Sequence, residues 1–535
     1  MNEFYHDAAR RLLVYRPVNV DLVCQHVPEA RRINGEYVAF PSTLHNVQRA
    51  RLLDLPVPNI MELDGYDWPI EKGRKPLAHQ KVMAAFMASH PRCFNLSEMG
   101  TMKTLAALWA ADYLMSQHPK GEFRALVVAP LSILERVWGS AIFANFLGKR
   151  TYQIIHGSAK RRVEQLAQDV DLYIINFDGV GIGAATRGRW VLDGFSKALE
   201  ARNDIRLVII DEGSAYRDSQ TKRSRLARII LASRSYFWLL TGTPTPNGPT
   251  DAYGLAKLVN NAWGESFNSF HDRTMQRWAR WVWKPKLGAN EAARRLLTPA
   301  IRIDIREVWD GPPITVQQRD VPLTDIQERL LRILKRDMVI ELASGKLVST
   351  AHEAAARLKY LQISLGGVYD ETHQSHPVDA APRVKELLSV IQSTSHKIVC
   401  FVPLTNIIDM LYTRLMQAGI TTGVLNGAVH PRERSDILAR FGSDAGHRVL
   451  LCDPATTSHG INELVAADTA VWYGPTDRTE LYLQGNKRVH RPGQKWPVTI
   501  VQLVSNPLER EIFQRLEANE TLQGLLLTMV KEGKI

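Results

Sequence analysis

Cysteine is scarce in this chain of 535 residues: Cys24, Cys93, Cys400 and Cys452 stand far apart and form no CxxC pair. That excludes a disulfide scaffold and leaves no basis for a structural zinc site or a redox pair, so a reducing, cytoplasmic setting is expected. No apolar run approaches the ~18–20 residues needed to cross a bilayer, and the opening MNEFYHDAARR lacks the apolar stretch of a secretory signal. Neither secretion nor membrane spanning is expected. Internal repeats and low-complexity tracts are missing too, which removes solenoids and disordered polymers. What is present is ample core material, 45% hydrophobic against 23% charged residues. The length calls for at least two domains, since single cores stop growing near about 250–300 residues. Lys+Arg 67 against Asp+Glu 55 leaves +12, which puts a polyanion first among candidate partners.

Residues 1–68 mix short apolar runs with turn signals. VPEARRINGEYVAFP within them reads as two strands around Asn34-Gly35, giving a small α+β module. From 69 to 261, CFNLSEMG, RALVVAPLS, VDLYIINF, IRLVIIDE and SYFWLLTGT alternate with helix-like segments. Runs of β-branched and aromatic residues bounded by Gly, Pro and Asp indicate buried parallel strands covered on both faces. A second series spans 379–535: KIVCFVP, TTGVLNG, HRVLLCD, DTAVWYG and VTIVQLVS. The expected fold class is therefore α/β, two parallel-sheet domains bracketing a helical insertion over 262–378.

Three segments carry chemistry. Asn95 to Thr104, NLSEMGTMKT, reads as a strand, a tight loop and the start of a helix, which aims backbone N–H groups and a helix N-terminus at a phosphate chain. Gly100 and Thr101 lie in that loop, Lys103 is placed for the β/γ-phosphates and Thr104 for Mg²⁺. Met102 stands where a phosphate loop has Gly before its Lys; a plain strand-to-helix turn reads the same way. The strand Leu207–Ile210 then delivers Asp211 and Glu212 at its C-terminal end, where ligands of open α/β sheets gather. Asp211 is placed as the metal-binding acid and Glu212 as the general base. In the second series Gln484, Arg488 and Arg491 fall at i, i+4 and i+7, one face of a helix closed by Pro492-Gly493. Such a row presents guanidinium groups to a γ-phosphate, or is simply a solvated basic face.

LSEMGTMKT, APLSILERVW, VIIDEGSAYRDSQTKRSR, LLTGTPTPNG, KIVCFVP, HGINELVAADTAVWYG and QGNKRVHRPGQ occur in the order and spacing of the superfamily-two helicase motifs. The chain resembles the Swi/Snf-type DNA translocases over about 70–535, above all in Gln484-x-x-x-Arg488-x-His490-Arg491-x-Gly493-Gln494. The resemblance implies RecA-like domains, ATP and Mg²⁺ as cofactors, and movement along duplex DNA. It places Gln80 at the adenine-reading glutamine and His79 where Tyr is usual. Thr241 and Thr243 match residues coupling ATP state to DNA grip; Gly460, Asn462 and Arg491 match groups that meet nucleotide between the domains, with Arg488 the second family arginine and Gln484 beside them. Departures are Met102, Ser214 in place of His after the acids, and Thr457-Ser458-His459 in place of a Gly-rich turn. Ser214 hydrogen-bonds but cannot protonate. The retained lysine, acids and arginines point to hydrolysis. The residues at 27–58 resemble the DNA-recognition module of annealing-helicase-type relatives and compact phage helicases, which favours DNA over RNA and a phage or bacterial source.

Two stretches suit nucleic acid. Arg217, Lys222, Arg223, Arg225, Arg228 and Arg234 stand against Asp218 alone between Arg217 and Tyr236, a patch for phosphate contacts or a solvated helix face. RTMQRWARWVWKPK interleaves Trp278, Trp281 and Trp283 with Arg277, Arg280, Lys284 and Lys286, a pattern that stacks on bases or anchors to a core. His373 and His376 have no partners at metal-ligand spacing. A monomer is expected. A strand-separating DNA or RNA helicase, or a DNA clamp with negligible hydrolysis, are the competing readings.

Overall fold

The computed structural model describes residues 3–518 apart from 8–11, 43–45, 48, 51–52, 54, 56–62, 64, 182, 187–188, 280–281, 344–349, 371, 373, 444 and 458–460. They fold as two compact units, Met1–Val308 and Trp309–Leu522.

The first unit begins with an antiparallel sheet of β1 (Glu3–Asp7), β2 (Leu12–Arg16), β3 (Arg31–Ile33) and β4 (Tyr37–Pro41) in the order β1-β2-β4-β3. Asn34 and Gly35 both take left-handed backbone, φ 50 and 78, as the expected turn requires. The helix Val20–His26 starts where Asn19 Oδ1 accepts from Leu22 N, and its Val23 is buried with Leu13, Tyr15, Val38 and Phe40.

The main sheet of this unit comprises β5 (Arg92–Asn95), β6 (Arg124–Ala129), β7 (Tyr152–Ile155), β8 (Leu172–Asn176), β9 (Ile205–Asp211), β10 (Tyr236–Leu240) and β11 (Ala300–Ile301). It is wholly parallel, in the order β11-β5-β10-β9-β6-β8-β7. Side chains alternate between its faces with the strand period of two. Val127, Ile209 and Trp238 join one core with the helices Ala78–Ser89 and Lys103–Ser116, whereas Val128, Ile210 and Leu239 join the other.

The second unit repeats the plan with β12 (Ile314–Asp320), β13 (Lys397–Phe401), β14 (Thr422–Leu425), β15 (Val449–Cys452), β16 (Ala467–Trp472) and β17 (Val498–Val504), all parallel in the order β12-β17-β16-β13-β15-β14. Val399, Phe401 and Trp472 face one core; Ile398, Cys400 and Val471 face the other. The helices Asp325–Ala343 and Thr350–Leu365 also belong to this unit.

The stretch 262–378 thus holds more than helices. β11 adds an edge to the first sheet and β12 an edge to the second. Neither reads as a strand in isolation: one has two residues, and the other, ITVQQRD, is largely exposed and polar, so the apolar signature of a buried strand is missing. Among the described residues no helix is long and apolar enough to cross a membrane.

Candidate active site

In the first unit β5 runs straight into the loop Leu96–Met102, which hands over to the helix beginning at Lys103. Gly100 has φ 88 and Met102 φ 59, ψ 42. The residue in the usual glycine position therefore does adopt the left-handed conformation, at a cost of about 1–2 kcal/mol for a side-chain-bearing residue. Lys103 Nζ donates to the carbonyls of Ser97, 2.7 Å, and Glu98, 2.9 Å. Burial pulls the ammonium below its ordinary pKa, against the opposing pull of Glu212 and Asp211. Thr101 is buried and turns its hydroxyl back onto Glu98 O at 2.8 Å; Thr104 follows Lys103 in the helix, partly buried.

The loop is held from the side by the chain following β11. Arg302 donates to Leu96 O at 2.9 Å and to Glu98 Oε1 at 2.7 Å, Ile303 N donates to Ser97 Oγ at 3.0 Å, and Glu98 N to Ile303 O at 3.0 Å. Only 4% of the Arg302 side chain is exposed. A third neighbour is the loop after β10. Thr241 N donates to Asn95 O, Thr243 N to Thr241 Oγ1, and a Cβ at Gly242 would stand 3.3 Å from Met99 N. Thr241 and Thr243 are buried, and Thr243 Oγ1 has no hydrogen-bond partner among the described residues.

β9 ends in Asp211, a buried carboxylate whose Oδ2 accepts from Trp138 Nε1 at 2.9 Å and whose Oδ1 accepts from Glu212 N at 3.0 Å. Glu212 is left-handed, φ 51, ψ 49, and opens the short helix Gly213–Tyr216, in which Ser214 is buried. Gly213 lies against Leu239, where a Cβ would come within 2.4 Å; the close approach lets the chain turn at the acids. At the start of the helix Ala78–Ser89, Gln80 Oε1 accepts from Leu77 N, while Gln80 Nε2 is buried without a partner among the described residues. The His79 ring sits in reach of the Thr101 backbone, and burial holds its pKa below the usual value against that hydrogen bond. Lys103, Asp211, Glu212, Glu98 and Arg302 thus share one electrostatic environment, with His79 beside the same loop.

In the second unit the helix Thr479–Val489 carries Gln484 and Arg488, but it stops before Arg491. His490 is extended, φ −100, ψ 90, and its Nε2 lies 2.7 Å from Pro312 O, so the expected single helical face is corrected: Arg491 lies in the turn beyond. The turn is held by Gln494, whose Nε2 donates to Val465, Ala467 and Val489 carbonyls and whose Oε1 accepts from Lys495 N and Trp496 N. The two arginines still converge. Burial, then the Arg488 charge, bring Arg491 down to about 10 against the opposing effect of Glu463, and Arg491 Nη1 donates to Ile461 O at 3.4 Å. Gln484 is fully buried, its Oε1 unpartnered among the described residues. Asn462 is exposed and its N–H donates to Glu463 Oε2. Gly460 lies outside the described residues, as do Ser458 and His459.

The nucleic-acid stretches divide. Arg223 makes a two-point pair with Asp178, 2.8 and 3.0 Å, Arg225 donates to Gln220 Oε1, and Lys222 and Arg217 stand beside them on the helix Lys222–Leu231 and the turn before it. Arg234 leaves this patch: it is buried and donates to the carbonyls of Leu199, Glu200 and Arg202. Met275–Ala279 and Val282–Pro285 form a hairpin with Arg277 exposed and Trp283 edge-on to His271 at 4.6 Å. Arg280, Trp281 and the Trp278 side chain lie outside the described residues.

Trp138 and Arg302 carry no role in the sequence reading. Trp138 stands inside APLSILERVW, a run whose order among the motifs is the available signal. Nothing near Arg302 in sequence marks it, because its partners lie some two hundred positions earlier.

Two parallel α/β units, one with a strand-to-helix turn beside a strand ending in acids and the other with one arginine in the last turn of a helix and a second in the turn beyond it, define the helicase-like ATPase class with two RecA-like domains. Residues 79–362 match the SNF2-related domain model and residues 381–493 the helicase conserved C-terminal domain model. The chain belongs to the SNF2-related family. It is 23% identical over 482 residues to putative protein p41 of Acyrthosiphon pisum secondary endosymbiont phage 1, covering 85% of this chain and 98% of that one. It is 24% identical over 459 residues to Mus musculus chromodomain-helicase-DNA-binding protein 9, covering 79% of this chain and only 15% of that much longer protein. The Sulfolobus solfataricus SWI2/SNF2 ATPase core, solved in complex with dsDNA, aligns over 87% of this chain and 95% of its own at 17% identity and a TM-score of 0.38.

Proposed function

We propose that the chain is an ATP-dependent DNA translocase that hydrolyses ATP to move along duplex DNA and remodel it or what is bound to it. The observation that carries this reading is the juxtaposition of Lys103 with Asp211 and Glu212, in a chain that matches both halves of the SNF2 motor.

In this mechanism Lys103 exchanges its two carbonyl partners for the β/γ-phosphates, and the N–H groups from Gly100 to Thr104 line the phosphate chain. The unpartnered Gln80 Nε2 is available to the adenine ring, with His79 alongside. Thr104 and Asp211 fit as the protein ligands of Mg²⁺, which neutralises phosphate charge when bound. Glu212 orients and deprotonates the attacking water, and Arg488 and Arg491 spread the charge that develops on the γ-phosphate. Ser214, Thr241, Thr243 and Gln484 couple this chemistry to DNA grip. Backbone phosphates of DNA are contacted by Arg217, Lys222, Arg223, Arg225 and Arg277, and Trp278 and Arg280 are assigned to the same role from the sequence pattern. The phage relative supports a phage or bacterial setting.

The test is DNA-stimulated ATP hydrolysis by the full chain. Lys103→Ala and Glu212→Gln each lower it by about 10²–10⁴-fold. Turnover equal with and without DNA sinks the motor reading. Stimulation by RNA instead of DNA reassigns the track, and triplex displacement without duplex unwinding separates a translocase from a strand-separating helicase. Met102 and Ser214 favour the second reading, a clamp that binds ATP and DNA without hydrolysis; unmeasurable turnover alongside tight ATP binding would establish it.

A further inference from the structure

The chain between β6 and the helix Ser140–Phe146 is irregular. A short 3₁₀ turn, Leu131–Ile133, is followed by a π-helical turn, Leu134–Gly139. π-Turns are rare and insert one extra residue, re-aiming a side chain that an α-turn would point elsewhere. Here the turn buries Leu134, Trp138 and Gly139 and sends Trp138, with no exposed surface, towards the end of β9. β6 and β9 are neighbours in register, Val128 opposite Ile210, so the segment leaving β6 naturally overlies the acids leaving β9.

The indole has one polar atom, a donor, and it is spent on Asp211 Oδ2 at 2.9 Å. Filling the space would need no nitrogen, and a buried indole demands an acceptor that a phenyl ring does not. With Glu212 N on Oδ1 at 3.0 Å, each carboxylate oxygen receives a fixed donor. Together they set the plane of the group.

We propose that Trp138 is a positioning residue for metal: its indole N–H holds the Asp211 carboxylate in the orientation that receives the divalent cation of a bound nucleotide. This rests on the assignment of Asp211 made above. Donors behind a ligating carboxylate typically govern metal affinity by 10–100-fold.

The experiment uses the full chain with ADP and Mn²⁺, read by the loss of free-Mn²⁺ paramagnetic signal, so that no turnover is needed. Trp138→Phe should bind metal-free ADP as the parent does and weaken Mn²⁺ binding about tenfold. Trp138→His, whose ring can still donate, should recover part of that loss. Mn²⁺ affinity within twofold of the parent in Trp138→Phe, while Asp211→Asn loses it, overturns the proposal and leaves Asp211 in place. Mn²⁺ affinity unchanged in Asp211→Asn overturns instead the assignment of Asp211. A second measurement needs no variant at 138: with ¹⁵N-labelled indoles, one of the 12 tryptophan signals should shift when Mg²⁺ is added to the ADP-bound parent and should not do so in Asp211→Asn. Twelve indifferent indole signals reject the proposal even where Trp138→Phe does not fold.

Discussion

The phosphate loop of the first unit and the arginine turn of the second are built on opposite principles. The loop is clamped on three sides, by Arg302 and Ile303, by the Thr241–Thr243 segment and by Lys103 reaching back to its own carbonyls. The arginine turn is fixed in its backbone by Gln494, yet it brings Arg488 and Arg491 close enough for one charge to oppose the other. One region is a loop held in a single shape by its neighbours. The other holds cationic charge under burial, a state that an anion would relieve.

The contrast is broken most forcefully at Arg491. Arg491→Ala should lower kcat by about 10³-fold or more and leave the affinity for ATP within a few-fold, measured by steady-state turnover against nucleotide binding. A large loss of ATP affinity would mean that the turn shares in binding ATP. Next comes Arg302→Ala, which removes a buried guanidinium bonded to Leu96 O and Glu98 Oε1 and should cost about 3–5 kcal/mol of stability, read by urea unfolding; restoration by adding Glu98→Gln would sharpen the account.

Lys103 gives a smaller effect with a definite sign. Its folded pKa lies below the ordinary lysine value through burial, so the charged form penalises the native state at neutral pH, and the penalty fades as pH rises through the folded value towards 10.5. Lys103→Met should therefore raise the thermal midpoint of the nucleotide-free chain at pH 7, by about 2–4 °C for each kcal/mol relieved. The gain should shrink as pH approaches 10. A lowered midpoint would show that the two carbonyl bonds outweigh the burial penalty. Smallest is Met102→Gly, which removes left-handed strain but restores chain entropy to the unfolded state; a net gain of about 1 kcal/mol or less is expected in urea unfolding.

What the sequence made legible follows from range. Buried strands such as Leu207–Ile210 announce themselves by unbroken apolar runs, and the acids that follow inherit their place from strand polarity. Met102 was readable as a strained position because the loop pattern is local. Helical spacing places Gln484, Arg488 and Arg491 in one row but cannot anticipate that His490 leaves the helix to meet Pro312. Arg234 looked like surface charge because five neighbours were basic, whereas its donors are used on the carbonyls of another helix end. Arg302, Trp138 and the edge strands β11 and β12 are tied to partners remote in sequence, and no periodicity encodes those.

The clasp around the loop also bears on synthesis. The loop, its acids and its threonines are all translated by Thr243, but the arginine and the strand that shape them arrive only at 300–303. A ribosome-bound or recombinant fragment ending near 261 would carry every recognisable motif of the first unit and still expose the free edge of β5 and lack the Arg302 that bonds Glu98 and Leu96. The loop is therefore completed late, by residues that no motif search would include in a truncation.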